Sequence, residues 1–332
     1  LALLSMRNLN TVFHSEEGKI KACNDVSLDI PAGKTVGLIG ETGSGKSVLG
    51  LSILRLLPRN ASLTGEIRYK GQDILTMPGK QLQQLRGNEI ALLPQSPSTS
   101  LNPVLQTGSQ ITEGLCLHRK MKWKPAWEKA LAMLRLLNLP QPEKKAREYP
   151  HQLSGGMKQR ILAAISVTGR PSLLIADEPA KGLDAVLRAQ VTGILRQLTG
   201  ETGAAMLLIT HDLKVAASLC DEVAVMYAGE IVENGPAEKI LTNPVHPYAQ
   251  GLLASLPEHG LRPIPGYGPS LLDLPAGCKF QRRCLLARDV CAEKRPPWQV
   301  FSNGWHARCW FIDQSRKSQQ NLYRGDLQKT AV

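Results

Sequence analysis

The chain has 332 residues, 42% of them hydrophobic, enough for one large domain or two modest ones with a sizeable core. No apolar stretch approaches the roughly 18 residues of a membrane-crossing helix, and Leu1-Ala2-Leu3-Leu4-Ser5 is too short for an export signal, so the chain is expected to stay in the cytoplasm. Forty Lys and Arg against 28 Asp and Glu favour polyanionic partners, but with 5% aromatics and no basic-aromatic repeat, nucleic acid is not expected among them.

Residues 1 to about 35 alternate apolar and polar positions around Gly18 and Pro31-Ala32-Gly33, which suits short antiparallel strands and turns. Phe13 lies where an aromatic ring can stack on a nucleotide base, and the same position suits a core phenylalanine. Residues 35–39 are a β-rich run and residues 48–57 an apolar, helix-compatible one. Between them stands Gly40-Glu41-Thr42-Gly43-Ser44-Gly45-Lys46-Ser47, which fits G-x-x-x-x-G-K-[ST] at every fixed position. In such a loop, glycines let the backbone N–H groups curl inward, and the following helix turns its positive end to the same anion. Lys46 is expected to reach the β- and γ-phosphates of ATP, and the Ser47 hydroxyl to ligate Mg²⁺.

Further on, residues 64–69 and 90–93 read as strands, the second ending at Pro94-Gln95, and residues 96–103 as a Ser/Pro loop. Residues 104–148 turn helical, with Trp127, Ala130, Leu131, Leu134 and Leu137 at spacings of three and four, a stripe read as core. Apolar runs at 173–176, 206–209 and 223–226, separated by helical stretches, suit buried strands of a mainly parallel sheet. Past about residue 236, Pro263, Pro265, Gly266, Gly268 and Pro269 read as a linker into a cysteine-bearing tail domain. The last fifteen or so residues are polar and aperiodic, and are expected to be mobile.

Leu173-Leu174-Ile175-Ala176-Asp177-Glu178 is an apolar strand ending in two carboxylates. Asp177 is placed to hold Mg²⁺ directly or through water, and Glu178 to orient and deprotonate the water that attacks the γ-phosphate. Ahead of it runs Leu153-Ser154-Gly155-Gly156-Met157-Lys158-Gln159-Arg160. With the P-loop before it and the acidic strand end after it, this segment resembles the signature of the ATP-binding subunits of ABC transporters. The resemblance implies that Gln95 senses Mg²⁺ and the attacking water and couples the site to a membrane partner. It implies that His211 hydrogen-bonds the γ-phosphate. It also implies a head-to-tail pair, in which Ser154, Gly155 and Gly156 of one subunit close on the phosphate held by Lys46 of the other. Asp184 matches the aspartate of the loop between subunits, although Ala180-Lys181-Gly182-Leu183 departs from the Thr-Thr-Ala-Leu usual there.

At the tail, His246-Pro247-Tyr248, Ile264-Pro265-Gly266 and the stretch from Gly277-Cys278 to Arg283-Cys284 resemble the C-terminal extension of the oligopeptide, dipeptide and nickel importer ATPases. That resemblance implies a second ATPase subunit, with a paralogue favoured, and two membrane-spanning permease subunits. It further implies an extracytoplasmic solute-binding protein and a peripheral place on the cytoplasmic face of the inner membrane. The cargo would be peptides or a related small solute such as nickel or a metal chelate. Cys278, Cys284, Cys291 and Cys309 follow C-x5-C-x6-C-x17-C, and four thiolates suit a [4Fe–4S] cluster or tetrahedral zinc. The branch resemblance and the lack of a C-x2-C pair favour the cluster, with unliganded cysteines as the plain alternative. The fold expected is an α/β P-loop NTPase (RecA-like) core with an antiparallel β subdomain and a helical insertion at about 96–160, all within residues 1–235. Residues 236–332 would form a small cysteine-containing C-terminal extension. The competing reading is a soluble ABC-type ATPase of a cytosolic complex, for example in phosphonate breakdown.

Overall fold

The computed structural model describes residues 2–301 and 304–315. The tail expected to be mobile lies almost wholly outside them.

Strands β1 (Ala2–Ser15) and β2 (Gly18–Pro31) pair as one long antiparallel hairpin. Sequence alternation suggested shorter strands because irregularities between Met6, Leu9 and Thr11 break it, with Asn8 at φ 47°. A bulge spends residues without ending the strand. β3 (Thr35–Ile39) follows, buried at all five positions, then α1 (Lys46–Ile53). β4 (Ala61–Tyr69) and β5 (Gln72–Asp73) complete a four-stranded antiparallel sheet in the order β2-β1-β4-β5. After α2 (Gly79–Leu85) and β6 (Ile90–Leu93) comes the helical portion.

Residues 96–103 are less irregular than expected, since Pro97 opens a single helical turn, α3 (Pro97–Ser100). Proline suits a first helical position because its missing N–H would lack a partner there anyway. α4 (Thr107–Arg119), α5 (Trp123–Leu136), α6 (Pro142–Arg147) and α7 (Gly155–Val167) follow. Ala130, Leu131, Leu134 and Leu137 are buried, with Trp127 packed against them, so the stripe is core as expected.

β7 (Leu173–Asp177), α8 (Ala185–Thr202), β8 (Ala205–Thr210), α9 (Leu213–Leu219) and β9 (Glu222–Tyr227) return the chain to the central sheet. Parallel pairing joins β9, β3, β8, β7 and β6 in that order. Covered on both faces, these strands need the continuous apolar runs seen in the sequence. β10 (Glu230–Pro236) adds an antiparallel strand, followed by α10 (Ala237–Thr242) and α11 (Pro247–Ala254).

The cysteine-bearing stretch returns to the main sheet. Beyond α12 (Asp289–Glu293), β11 (Trp298–Val300) and β12 (His306–Arg308) extend the main sheet, β12 pairing with β10. Trp305 Nε1 donates to the buried Glu233 carboxylate, and Arg295 ion-pairs with Asp25 of β2 and with Glu230 of β10.

Candidate functional site

The parallel register brings the motifs to one edge. Ile39 lies opposite Thr210, and Asp177 opposite Ile209, so the residues that follow β3, β7 and β8 emerge side by side at the carboxyl ends of neighbouring strands. Open α/β sheets bind ligands at that edge. Leu93 of β6 lies opposite Ala176, so the half-buried Gln95 follows two residues beyond the carboxyl end of the strand that neighbours β7.

From β3 the chain enters the loop with glycine where nothing else fits. Gly40 has φ 153° and a Cβ there would lie 2.2 Å from the Met226 carbonyl oxygen; Gly45 has φ 103° and its Cβ would lie 2.1 Å from that of Ala22. The loop thus threads between β9 and β2 at backbone distance. Lys46, buried at the start of α1, donates from Nζ to the carbonyl oxygens of Gly40 and Glu41, each at 2.8 Å, and to Ser44 Oγ at 3.4 Å. Burial lowers its pKa, opposed by the carboxylates of Glu178, Asp177 and Glu41. A buried cation with acidic neighbours is suited to meet an anion that brings its own metal ion.

Ser47 Oγ donates to Asp177 Oδ1 at 3.0 Å. Burial, with a further push from the Glu178 charge, raises the Asp177 pKa above the ordinary aspartate value, against that hydrogen bond. The hydroxyl and the crowded carboxylate form an oxygen donor pair suited to Mg²⁺, which takes one or two carboxylates together with phosphate oxygens. Glu178 is buried, with φ 49°, a conformation rare for a side-chain-bearing residue and held by its N–H donating to Ile209 O. Its Oε1 lies 2.8 Å from His211 Nδ1, and its Oε2 accepts from Thr210 Oγ1 at 3.4 Å. His211, expected to meet the γ-phosphate, is bonded here to Glu178.

Other expected residues stand apart from this group. Ser154 is exposed and caps α7, accepting from the Met157 N–H at 3.4 Å; Gly155 is exposed and Gly156 half-buried against Leu187. Asp184 is exposed and caps α8, accepting from the Leu187 N–H at 2.9 Å. Among the described residues, no hydrogen bond ties either cap to the phosphate loop. Phe13, half-buried on β1, lies in register with Ile20 and Ala61.

Sequence reasoning missed two partners of the loop. Glu41 N–H donates to Tyr248 Oη at 2.8 Å, and the Glu41 carboxylate accepts a two-pronged hydrogen bond from Arg283 at 2.7 and 2.9 Å. Both residues lay within motifs noted at the tail, but nothing local indicated where they would reach. Gln159, in the signature segment, also donates to Pro179 O directly after Glu178.

Cys278, Cys284, Cys291 and Cys309 line one apolar cavity together with Phe280 and Trp310. Burial pushes the Cys278 thiol up to about 12 and Cys309 up to about 11, and raises Cys284 as well. Among the described residues, no three His, Cys, Asp or Glu side chains are gathered closely enough to hold a single metal ion.

Similarity to known proteins points the same way as the geometry. The family described as ABC transporter matches residues 23–181, and the oligopeptide/dipeptide transporter C-terminal region matches residues 232–291. The chain is 40% identical over 314 residues to the oligopeptide transport ATP-binding protein OppD of Escherichia coli (strain K12), with 93% of each chain covered. It is 42% identical over 316 residues to the probable peptide ABC transporter ATP-binding protein y4tR of Sinorhizobium fredii, covering 93% of this chain and 94% of the other. Among solved structures, the dimeric ATP-binding cassette MJ0796 bound to ADP and Pi superposes with a TM-score of 0.64 at 24% identity. It covers 70% of this chain and 98% of its own, a likeness of fold.

Proposed function

Since the chain belongs to the ABC transporter family of ATP-binding proteins, in its oligopeptide/dipeptide branch, we propose that it is the ATP-hydrolysing subunit of a peptide importer. The observation that carries this reading is the convergence of Lys46, the Ser47–Asp177 pair and the Glu178–His211 pair at one sheet edge. It occurs in a chain aligned over nearly its whole length with peptide-transport ATP-binding proteins.

The phosphates of ATP would lie along the N–H groups of residues 43–47, with the Lys46 ammonium against the β- and γ-phosphates. Ser47 and Asp177 would hold Mg²⁺, which supplies positive charge to the phosphate oxygens when bound. Glu178 accepts the proton of the attacking water, and His211 leaves its carboxylate to meet the γ-phosphate. Ser154, Gly155 and Asp184 are exposed and Gly156 half-buried beside them, which suits a site completed by a second ATPase subunit. Gln95 links the site to the permease. Phe13 is read as the base-stacking residue. No described helix is long and apolar enough to cross a membrane. In this reading two permease subunits provide the path and the chain sits on the cytoplasmic face.

For the four cysteines we favour a [4Fe–4S] cluster over zinc. All four line one cavity, and four thiolates are the ligand set such a cluster takes. The cluster would supply the positive charge that lets buried thiols ionise. Anaerobically purified protein is expected to carry iron and acid-labile sulfide; a colourless, metal-free, folded protein would refute the assignment.

Membrane association tests the importer reading against a soluble ATPase. The chain should pellet with membranes when its permease partners are present and wash off at high pH without detergent. A chain that stays in the supernatant alongside its permease points to the soluble alternative.

A further inference from the structure

The junction between the phosphate loop and the C-terminal segment turns on one side chain. Arg283 stands in the short loop between Cys278 and Cys284 and is only 7% exposed. Its Nη1 donates to Glu41 Oε2 at 2.7 Å and to Tyr227 Oη at 3.3 Å, its Nη2 to Glu41 Oε1 at 2.9 Å, and its Nε to Pro265 O at 2.9 Å. The guanidinium therefore engages the loop residue with both prongs, a geometry that fixes a carboxylate in position and orientation together. From α11, Tyr248 takes the Glu41 N–H at 2.8 Å, while its ring packs against those of Tyr227 and Phe280. The carbonyl of the same Glu41 accepts from Lys46 Nζ. One residue of the loop is thus held by its carboxylate and its N–H from the C-terminal segment, and passes that placement by its carbonyl to the lysine. Cradling a phosphate asks nothing of the side chain at this position, since the motif leaves it open.

We propose that Arg283 and Tyr248 are positioning residues of the nucleotide site, by which the segment beyond residue 236 sets Glu41 and, through it, the Lys46 ammonium. The proposal rests on the ATP reading given above. It makes the loop between Cys278 and Cys284 a part of the phosphate site's support, so that displacement of that loop weakens nucleotide binding at a distance.

The test uses the full chain, with binding of fluorescent mant-ATP in Mg²⁺ and thermal unfolding without nucleotide. Arg283→Gln is expected to raise the Kd about fivefold or more, as for a coupling between sites. Arg283→Lys should recover only part of that, because an ammonium cannot reproduce the fork. In a double-mutant cycle, Arg283→Gln should add little to the Kd of Glu41→Gln. A variant that melts earlier yet binds with the wild-type Kd overturns the proposal and leaves Arg283 a brace only. Should Arg283→Gln fail to fold, Tyr248→Phe keeps the ring and removes only the acceptor; a raised Kd supports the proposal and an unchanged one overturns it. A folded wild-type chain that binds no ATP overturns both readings, whereas wild-type binding with unaltered variants overturns this one alone.

Discussion

Replacing Gly45 by Ala sets the geometry of the phosphate loop against a control two residues away. At Gly45 the backbone has φ 103°, and a Cβ would lie 2.1 Å from the Ala22 carbonyl oxygen and 2.9 Å from Met226 Cε. At Gly43 φ is 83° and nothing lies within 4 Å. Both replacements carry the left-handed cost of an L side chain, about 1–2 kcal/mol. Only Gly45→Ala adds an overlap with a neighbouring strand's backbone, which cannot rotate aside as a side chain can, and overpacking of this kind costs about 1–3 kcal/mol more. The expected losses are therefore about 2–5 kcal/mol for Gly45→Ala and about 1–2 kcal/mol for Gly43→Ala. Urea unfolding at constant slope reads the difference directly. Gly45→Ala should also weaken ATP binding, because relief of the overlap shifts the N–H groups that open α1. Equal losses for the two variants would refute the reasoning, since the loop would then not lie against Ala22.

Glu178→Gln is expected to slow ATP hydrolysis by about 10²–10⁴ while leaving ATP bound, as loss of a positioned base does; phosphate release and Kd measured together check it, and a variant hydrolysing at the wild-type rate would move the base elsewhere. At Asp25, burial alone would raise the pKa, but hydrogen bonds from Asn8, Arg295 and Arg308 outweigh it and the net shift is downward. A carboxylate whose folded-state pKa is depressed contributes stability that is complete at neutral pH and is lost as pH falls below about 4 through the depressed value. Asp25→Asn should therefore lower stability at neutral pH and flatten its acid decline, and curves parallel to wild type would contradict the assignment.

The phosphate loop and the acidic strand end were legible because each is contiguous and each demands particular residues. Only glycine can pass Met226 and Ala22 at backbone distance, so Gly40 and Gly45 announce themselves in the sequence. The helical stripe from Ala130 to Leu137 was equally plain, its period being set by one element alone. The attachment of the C-terminal segment was not. β11 and β12 are three residues each, too short for periodicity, and pairing with β10 is decided by a partner some seventy positions away. Pro263 to Pro269 does lack regular structure, as expected, but the chain beyond it returns to the core. The grip of Arg283 on Glu41 spans 242 positions, and no local pattern encodes such a contact. The single turn at Pro97 and the bulges near Asn8 show the same limit at short range, where one residue shifts a boundary without changing composition.

The most direct test of the account is uptake of labelled di- and oligopeptides by cells in which Glu178→Gln replaces the wild-type chain, with nickel uptake measured alongside. The account predicts that peptide uptake is lost and nickel uptake persists. Peptide uptake that continues undiminished while the variant is present, folded and ATP-bound would contradict it.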